Sequence, residues 1–211
     1  MTKPEVLLLH GVLMNSVEMF YLQNKLAHSG FRVHNFSYPS VRHSIAENTQ
    51  SLCRKIHALN VSQLHIVAHS MGGIMAMHLL EFCRNLPTGR IVMLGTPLNG
   101  SYVAHRVSAW PLINHLLTKS MGQGLDGTYE LPTTTNREIG MIAGNNNSLG
   151  FGVLFGGMPE SSDGTVLLSE TKHPLLKEHI VINATHTSMI FSRKAAALVA
   201  RFLETGSFEQ G

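Results

Sequence analysis

The sequence predicts a single α/β domain in which about six mostly parallel strands carry helices on both faces. Short apolar runs alternate along the chain with longer segments of helical spacing, the order expected when helices join parallel strands. The clearest run, residues 64–68, is apolar apart from His65, as expected for a buried central strand. The 211 residues suffice for one sizeable core, so we expect residues 1–211 to form one domain.

Six strands are expected from the apolar runs, at residues 5–9, 31–36, 64–68, 90–94, 138–143 and 178–184. The second run alternates between apolar and polar residues, which favours a position at or near the edge of the sheet. If the sheet order begins 2-1-3, the loops that follow strands 1 and 3 lie side by side. Ligands bind at such a switch point in open parallel sheets.

Four helices are predicted outside a more irregular segment after the fourth strand, over about residues 16–28, 44–59, 71–84 and from 192 onward. Ser16 and Ser192 stand where a side chain would cap a helix N-terminus. Ser44 and Glu47 have the spacing of a capping box. Gly30 follows the first helix at the place where a left-handed residue ends many helices.

Ser70 lies where strand spacing changes to helical spacing. Ala68 and Gly72 stand two residues to either side, and a strand that turns sharply into a helix needs small residues there because the two elements nearly touch. A serine at such a corner takes a strained backbone conformation that exposes its hydroxyl. The motif predicts Ser70 as a nucleophile, and a serine that only caps the following helix is the alternative.

A serine hydroxyl is a poor nucleophile unless a base takes its proton and a third group orients that base. Of the two aspartates, Asp126 precedes the fifth strand and Asp163 follows it. Asp163 is therefore the expected acid, and Gly164 permits the sharp turn that would aim its carboxylate. Glu160 is a less suitable substitute, and a plain turn role for Asp163 is the alternative.

His186 is the expected base among 13 histidines. It lies just past the last strand, whereas His173 precedes that strand and His179 lies within it. Its neutral form near pH 7 suits a general base.

Two backbone N–H groups, those of Val12 and Met71, are expected to form the oxyanion hole. Met71 follows the nucleophile directly. Val12 lies in the loop after strand 1, where Gly11 would let the backbone approach a substrate closely. A plain strand-ending turn is the alternative for this loop.

Residues 99–131 fit no simple strand–helix unit and are predicted to form a small cap-like insertion over the carboxyl ends of the strands. They carry two apolar stripes at helical spacing, separated by Pro111. Packing of both stripes on the core is the alternative. Substrate contacts are expected in and around this insertion, from His10, Leu98, Trp110, Leu116, Phe151 and Phe155.

Composition and local patterns exclude several function classes. The net charge is +3, but no basic run exceeds two residues, so no nucleic-acid partner is expected. No apolar run reaches membrane-spanning length and no signal-peptide core follows the N-terminus, which indicates a cytoplasmic location. Cys53 and Cys83 are expected to be reduced thiols, and no metal or cofactor motif appears. The sequence does not define an oligomeric state.

Several segments together resemble a known family: His10-Gly11, Ala68 to Gly73, Gly95 to Ser101, Asp163 to Val166 and His186 to Met189. They are similar to those of small bacterial α/β-hydrolases of the lipase type, close to the PGAP1-like hydrolases. The resemblance covers nearly the whole chain and implies a minimal six-stranded α/β-hydrolase fold. Ala68 replaces the usual first glycine of the serine motif, and Leu98 stands where lipases often have histidine.

Together, the motif and the resemblance imply a cofactor-free serine hydrolase. Its expected substrates are small carboxylic esters with short to medium acyl chains, cleaved through an acyl-enzyme. A thioesterase or acyltransferase with the same three residues is one alternative. A binding module that has kept the fold without activity is another.

Overall fold

Six strands form one sheet in the computed structural model, which describes residues 3–108, 131–132 and 134–209. The order is β2-β1-β3-β4-β5-β6, and every neighbouring pair is parallel. The predicted parallel sheet and its 2-1-3 beginning are confirmed. The strands are β1 Glu5–Leu9, β2 Arg32–Asn35, β3 His65–His69, β4 Ile91–Leu94, β5 Ile139–Gly144 and β6 Glu178–Ile182.

Burial follows strand position. Every residue of β3, β4 and β5 is buried, because helices cover both faces of a parallel sheet. In β2 none of the four residues is buried, and this strand lies at one edge as its alternating pattern predicted. The sheet reverses its connection direction between β1 and β3, so the loops that leave these two strands meet at its carboxyl edge.

Five α-helices are described: α1 Phe20–His28, α2 Ile45–Ala58, α3 Met71–Phe82, α4 Tyr102–Ser108 and α5 Arg193–Thr205. The capping box of Ser44 and Glu47 is present, and the Ser192 side chain accepts the N–H of Ala195. Gly30 has a φ of +96° just beyond α1. The predicted Ser16 cap is wrong, since α1 begins at Phe20 without a side-chain cap.

The α1 start differs because the residues before it form their own turn. The Val17 N–H donates to the Asn15 side chain at 2.8 Å, and the Asn15 N–H donates to Glu18 at 3.0 Å. These local bonds give the backbone an alternative to an earlier helical turn.

Two apolar layers lie on opposite faces of the sheet. Helices α2 and α3 pack together on one face and α1 and α5 on the other. The first layer includes Leu52 and Leu79, and the second includes Leu22 and Phe202, all almost fully buried. Among the residues that the structure describes, no helix has both the length and the apolar character needed to cross a membrane.

Cys53 and Cys83 form a disulfide, so the expectation of two reduced thiols is wrong. Cys53 lies on α2 and Cys83 follows α3 directly. The two helices pack side by side and bring the Cα atoms within 5.6 Å, although the residues are 30 positions apart. Sequence spacing alone does not reveal such a pairing.

Within the predicted cap-like insertion at 99–131, residues 102–108 form α4. Trp110, Leu116 and the second apolar stripe lie outside the described residues. A cap over the site therefore stays a prediction.

Candidate active site

Ser70 joins β3 to α3 with φ 55° and ψ −127°, a positive-φ conformation that non-glycine residues rarely adopt. Its side chain makes no capping hydrogen bond to α3. A Cβ on Gly72 would lie 2.6 Å from the Leu9 carbonyl oxygen, and one on Gly73 would clash with the Thr96 side chain. The corner therefore needs small residues after the serine, and the hydroxyl is left without a capping role.

Asp163 and His186 form a buried pair. His186 Nδ1 lies 2.7 Å from Asp163 Oδ2, and the His186 backbone N–H donates to the Asp163 carbonyl at 2.8 Å. The other carboxylate oxygen accepts the N–H groups of Thr165 and Val166 at 3.0 and 2.7 Å. These bonds fix the carboxylate and assign the His186 proton to Nδ1, which leaves Nε2 as the acceptor nitrogen.

Glu160, the weaker acid candidate, lies elsewhere. Its exposed carboxylate accepts the Ser169 hydroxyl at 2.7 Å. The structure thus brings Asp163, and not Glu160, to His186.

The end of β4 connects Ser70 to this pair. The Ser70 N–H donates to the Leu94 carbonyl at 2.9 Å, and the Thr96 hydroxyl donates to the Ser70 carbonyl at 3.0 Å. Gly95, which lies between Leu94 and Thr96, has a φ of +57°. A Cβ there would lie 3.0 Å from Asp163 Oδ2 and 3.2 Å from His186 Nδ1. Gly95 therefore lies where any side chain would meet the acid–base pair, and its neighbours Leu94 and Thr96 hydrogen-bond to Ser70.

His69 makes a second connection, which the sequence analysis missed. Its Nε2 lies 3.0 Å from the His186 carbonyl oxygen, and the two ring centroids are 4.7 Å apart. Burial, followed by the neighbouring His186, lowers the pKa of His69 to about 3. The ring is therefore neutral at pH 7 and donates through Nε2–H. Within the described part of the chain, its Nδ1 has no hydrogen-bond partner.

The loop after β1 lies against the serine. A Cβ on Gly11 would lie 3.1 Å from Ser70 Cβ, so this backbone lies close to the serine. The N–H groups of Val12 and Met71 donate no hydrogen bond to any described residue. Met71 is the first residue of α3, where the helix dipole places positive potential. Both groups are thus free to bind an anionic oxygen.

His10 is fully buried and shapes this loop from behind. Its ring stacks on Tyr38 with centroids 4.0 Å apart. Nε2 lies 3.2 Å from the Tyr38 N–H and Nδ1 lies 2.9 Å from the Gly11 carbonyl oxygen, which makes Nε2 the acceptor and Nδ1 the donor. Burial lowers the pKa of His10, in keeping with a neutral ring. Both ring nitrogens are hydrogen-bonded within the protein, and a substrate contact from His10 stays a prediction.

The remaining substrate candidates lie in different parts of the structure, and their substrate contacts stay predictions. Leu98 is buried in the same apolar layer as Val103 of α4. Phe151 is half exposed at the start of a 3₁₀ helix, and its N–H lies 3.3 Å from the Thr165 hydroxyl. This segment is therefore attached to the turn that carries Asp163. The side chain of Phe155 lies outside the described residues.

Glu170 is a second residue that sequence reasoning missed. Its buried carboxylate accepts the N–H of Tyr102, the first residue of α4, and that of Leu167 at 2.8 Å. Burial raises the pKa of Glu170 to about 7, with the charge of Asp163 adding to the shift. The residue joins the start of α4 to the segment that follows Asp163.

A cavity of about 330 Å³ lies at the opposite, amino-terminal edge of the sheet and is lined in part by His65 and Arg137. The Arg137 guanidinium already donates to the carbonyl oxygens of Leu64, Gly89 and Pro87. The guanidinium group thus joins the segments that lead into β3 and β4 at that edge, remote from Ser70.

Comparisons with known proteins agree with this fold. Residues 4–139 match a family described as alpha/beta hydrolase fold. A search of curated proteins finds no match.

Solved structures provide the other similarities. The mature form of Bacillus licheniformis lipase BlEst2 has a TM-score of 0.74 and 21% identity, over 96% of this chain and 91% of that one. A metagenomic carboxyl esterase, MGS0156, has a TM-score of 0.73 and 15% identity, over 97% of this chain and 76% of that one. An esterase from Exiguobacterium antarcticum has a TM-score of 0.67 and 12% identity, over 97% of this chain and 93% of that one. At these identities the likeness establishes the fold alone.

Proposed function

Because this chain belongs to the α/β-hydrolase family, we propose that it is a serine hydrolase that cleaves carboxylic esters. One observation carries the proposal. Ser70 has a strained backbone and a side chain that does not cap α3, and the end of β4 and His69 connect it to the Asp163–His186 pair. Membership of the narrower PGAP1-like group remains a prediction.

The reaction begins when the Ser70 hydroxyl attacks the ester carbonyl carbon and gives its proton to His186 Nε2. The carbonyl oxygen becomes an oxyanion. Collapse of this intermediate breaks the bond to the alcohol, which leaves with the proton from His186. Water then attacks the acyl-enzyme by the same route, releasing the carboxylic acid and restoring Ser70.

Asp163 keeps the His186 imidazole in the tautomer that this reaction requires and stabilises the imidazolium that forms. Its Oδ2 accepts the Nδ1 proton, and Oδ1 is held by two backbone N–H groups. The carboxylate therefore cannot rotate away without losing three hydrogen bonds.

The oxyanion is stabilised by the N–H groups of Val12 and Met71. Both are free of other partners in the described part of the chain, and Met71 adds the favourable end of the α3 dipole. Such preorganised donors act where negative charge develops and need no rearrangement during the reaction.

An ester with an apolar acyl chain is the substrate class we propose. The lipase and esterase names of the similar structures favour esters. The half-exposed Phe151, whose N–H lies 3.3 Å from the Thr165 hydroxyl, supplies an apolar surface beside the turn that carries Asp163. Each buried CH₂ contributes about 0.8 kcal/mol, so kcat/KM should rise by up to about fourfold per carbon until the chain fills its pocket. We expect the optimum at short to medium chains.

The expected cytoplasmic location is still a prediction, and the Cys53–Cys83 disulfide weighs against it. Disulfides persist in oxidising compartments and are rare where glutathione and thioredoxin keep thiols reduced.

Covalent labelling tests the proposal directly. A fluorophosphonate should modify Ser70 of the pure folded protein, with the Ser70→Ala variant unlabelled and Ser29→Ala, changed on the exposed surface, labelled normally. An absence of labelling in the folded parent would instead favour a binding module. A panel of matched esters and thioesters, with alcohol acceptors added in a second series, then separates hydrolysis of esters from thioesterase and acyltransferase activity.

A further inference from the structure

Three potential metal ligands lie together on the face of the domain that carries α2 and α3. Cys53 and His57 are four residues apart on α2 and therefore share one side of that helix, and Cys83 follows α3 directly. Their ligand atoms all lie within 4.8 Å of one another. Since α3 has 12 residues and spans about 18 Å, this cluster is at the far end of the helix from Ser70.

We propose that the reduced form of the chain binds one Zn²⁺ ion through the Cys53 and Cys83 thiolates and the His57 imidazole. Two thiolates and an imidazole are a ligand set that zinc prefers, and a solvent molecule completes four-coordination. Cys83 is buried, Cys53 is partly buried and His57 is exposed, so the ion is anchored on one side and reachable from the other.

The distances suit such an ion. With Zn–S and Zn–N bonds of about 2.3 and 2.0 Å, tetrahedral geometry places sulfur and nitrogen about 3.5 Å apart. His57 Nε2 lies 3.9 Å from Cys83 Sγ, so this pair needs a shift of only a few tenths of an ångström. The two sulfur atoms, which are bonded to each other in the disulfide, must separate to about 3.8 Å. The partly exposed Cys53 side chain supplies the third ligand by turning about its Cα–Cβ bond once the bridge is broken.

The helices that carry the ligands are also held together by packing that does not involve the disulfide. Leu52 and Ile56 of α2 are fully buried in the layer that also contains Leu79 of α3. The Thr49 hydroxyl lies 3.2 Å from the Met75 sulfur across the same interface. Reduction therefore leaves the two helices packed and the three side chains adjacent.

Oxidation and metal binding exclude each other because both use the same sulfur atoms. A phosphine and one water molecule convert the disulfide into two thiols and a phosphine oxide. Zn²⁺ then displaces the two thiol protons into the buffer. His57 Nε2, which lies 3.0 Å from the Arg84 carbonyl oxygen, becomes a ligand when the imidazole proton moves to Nδ1.

Cobalt(II) is the probe we would use, because its d–d and thiolate charge-transfer bands report tetrahedral thiolate ligation. The full chain is reduced with a phosphine without oxygen, and Co²⁺ is added while circular dichroism monitors the fold. We expect one equivalent to bind to the reduced parent and none to the disulfide form. Added Zn²⁺ should displace it. His57→Ala should weaken binding at least about tenfold, and His28→Ala, an exposed histidine on α1, should leave it unchanged.

The other outcomes would overturn the proposal. They are a reduced parent that unfolds or binds no cobalt, equal binding by the disulfide form, and equal binding by His57→Ala. The His57→Ala variant retains both cysteines and can be purified with its disulfide intact. The test therefore does not depend on whether a cysteine variant folds.

Discussion

His69 donates a hydrogen bond from Nε2 to the backbone carbonyl of His186, across 117 positions of sequence. The bond joins the residue before the proposed nucleophile to the residue that would activate it. Because the ring is buried and its pKa is lowered to about 3, His69 remains a neutral donor throughout the working range of a hydrolase. We therefore expect His69 to act as a positioning residue.

Loss of this donor should lower kcat with little effect on KM. In His69→Phe the ring is kept but the N–H is lost, and we expect kcat to fall about tenfold, equivalent to about 1.4 kcal/mol. His69→Gln, which retains an N–H donor, should recover part of that loss. A purely structural role would instead lower the stability of both variants without separating kcat from KM, or without rescue by glutamine.

Ser70→Ala should abolish ester hydrolysis while the fold remains. The expected loss in kcat is roughly 10⁶-fold, the scale known from subtilisin. Urea unfolding of parent and variant should give nearly equal midpoints, since the hydroxyl makes no capping bond. Turnover by a variant purified free of other esterases would refute the nucleophile assignment.

Asp163→Asn should reduce kcat far more than Glu160→Gln. The amide can leave His186 in the wrong tautomer, and the corresponding change in trypsin lowers kcat about 10⁴-fold. Glu160 contacts the Ser169 hydroxyl on the surface, so its variant should retain near-parent activity. If Glu160→Gln were the more damaged enzyme, the acid would be misassigned.

Gly95→Ala should damage both stability and activity, and Gly30→Ala provides the matched control. Each alanine would sit at positive φ, which costs about 1–2 kcal/mol. Only at Gly95 would the new Cβ also meet the site, 3.0 Å from Asp163 Oδ2. A Cβ added at Gly30 would have no heavy atom within 4 Å. We therefore expect both variants to lose free energy of unfolding through strain. Gly95→Ala should lose more, because its Cβ would also lie 2.8 Å from Met189 Cε, and only Gly95→Ala should show a fall in kcat. Equal activity of the two variants would contradict this account.

Acidification should destabilise the protein through its buried histidines. Burial lowers the pKa of His69 to about 3 and of His65 to about 4, whereas both bind protons near pH 6.5 when unfolded. The unfolded chain then holds more protons, so the free energy of unfolding falls as the pH drops from 6.5 towards 3. Glu170, with its raised pKa of about 7, has the opposite effect: between pH 7 and 4.5 it increases the free energy of unfolding as the pH drops.

Urea unfolding at several pH values checks the balance between these groups. The parent should lose stability towards acid, and Glu170→Gln should lose it more steeply because the opposing group is gone. A free energy of unfolding that stayed flat or rose towards pH 4 would contradict the burial of the histidines.

The sequence by itself determined the features that depend on neighbouring residues. The apolar runs gave the parallel sheet, and the Ser44–Glu47 spacing gave the start of α2. Small residues around Ser70 gave the strained corner, because a sharp strand-to-helix turn has few steric solutions. Chain order also selected Asp163 and His186, which the structure brings together.

Tertiary packing decided what no local pattern could specify. Packing of helices and loops against the sheet brings Cys53 to Cys83, stacks His10 on Tyr38 and places His69 next to His186. Each of these contacts links residues that are 28 or more positions apart. Backbone propensity acts over only a few residues, whereas such contacts depend on how helices and loops pack against a completed sheet, and that packing exists only in the folded chain.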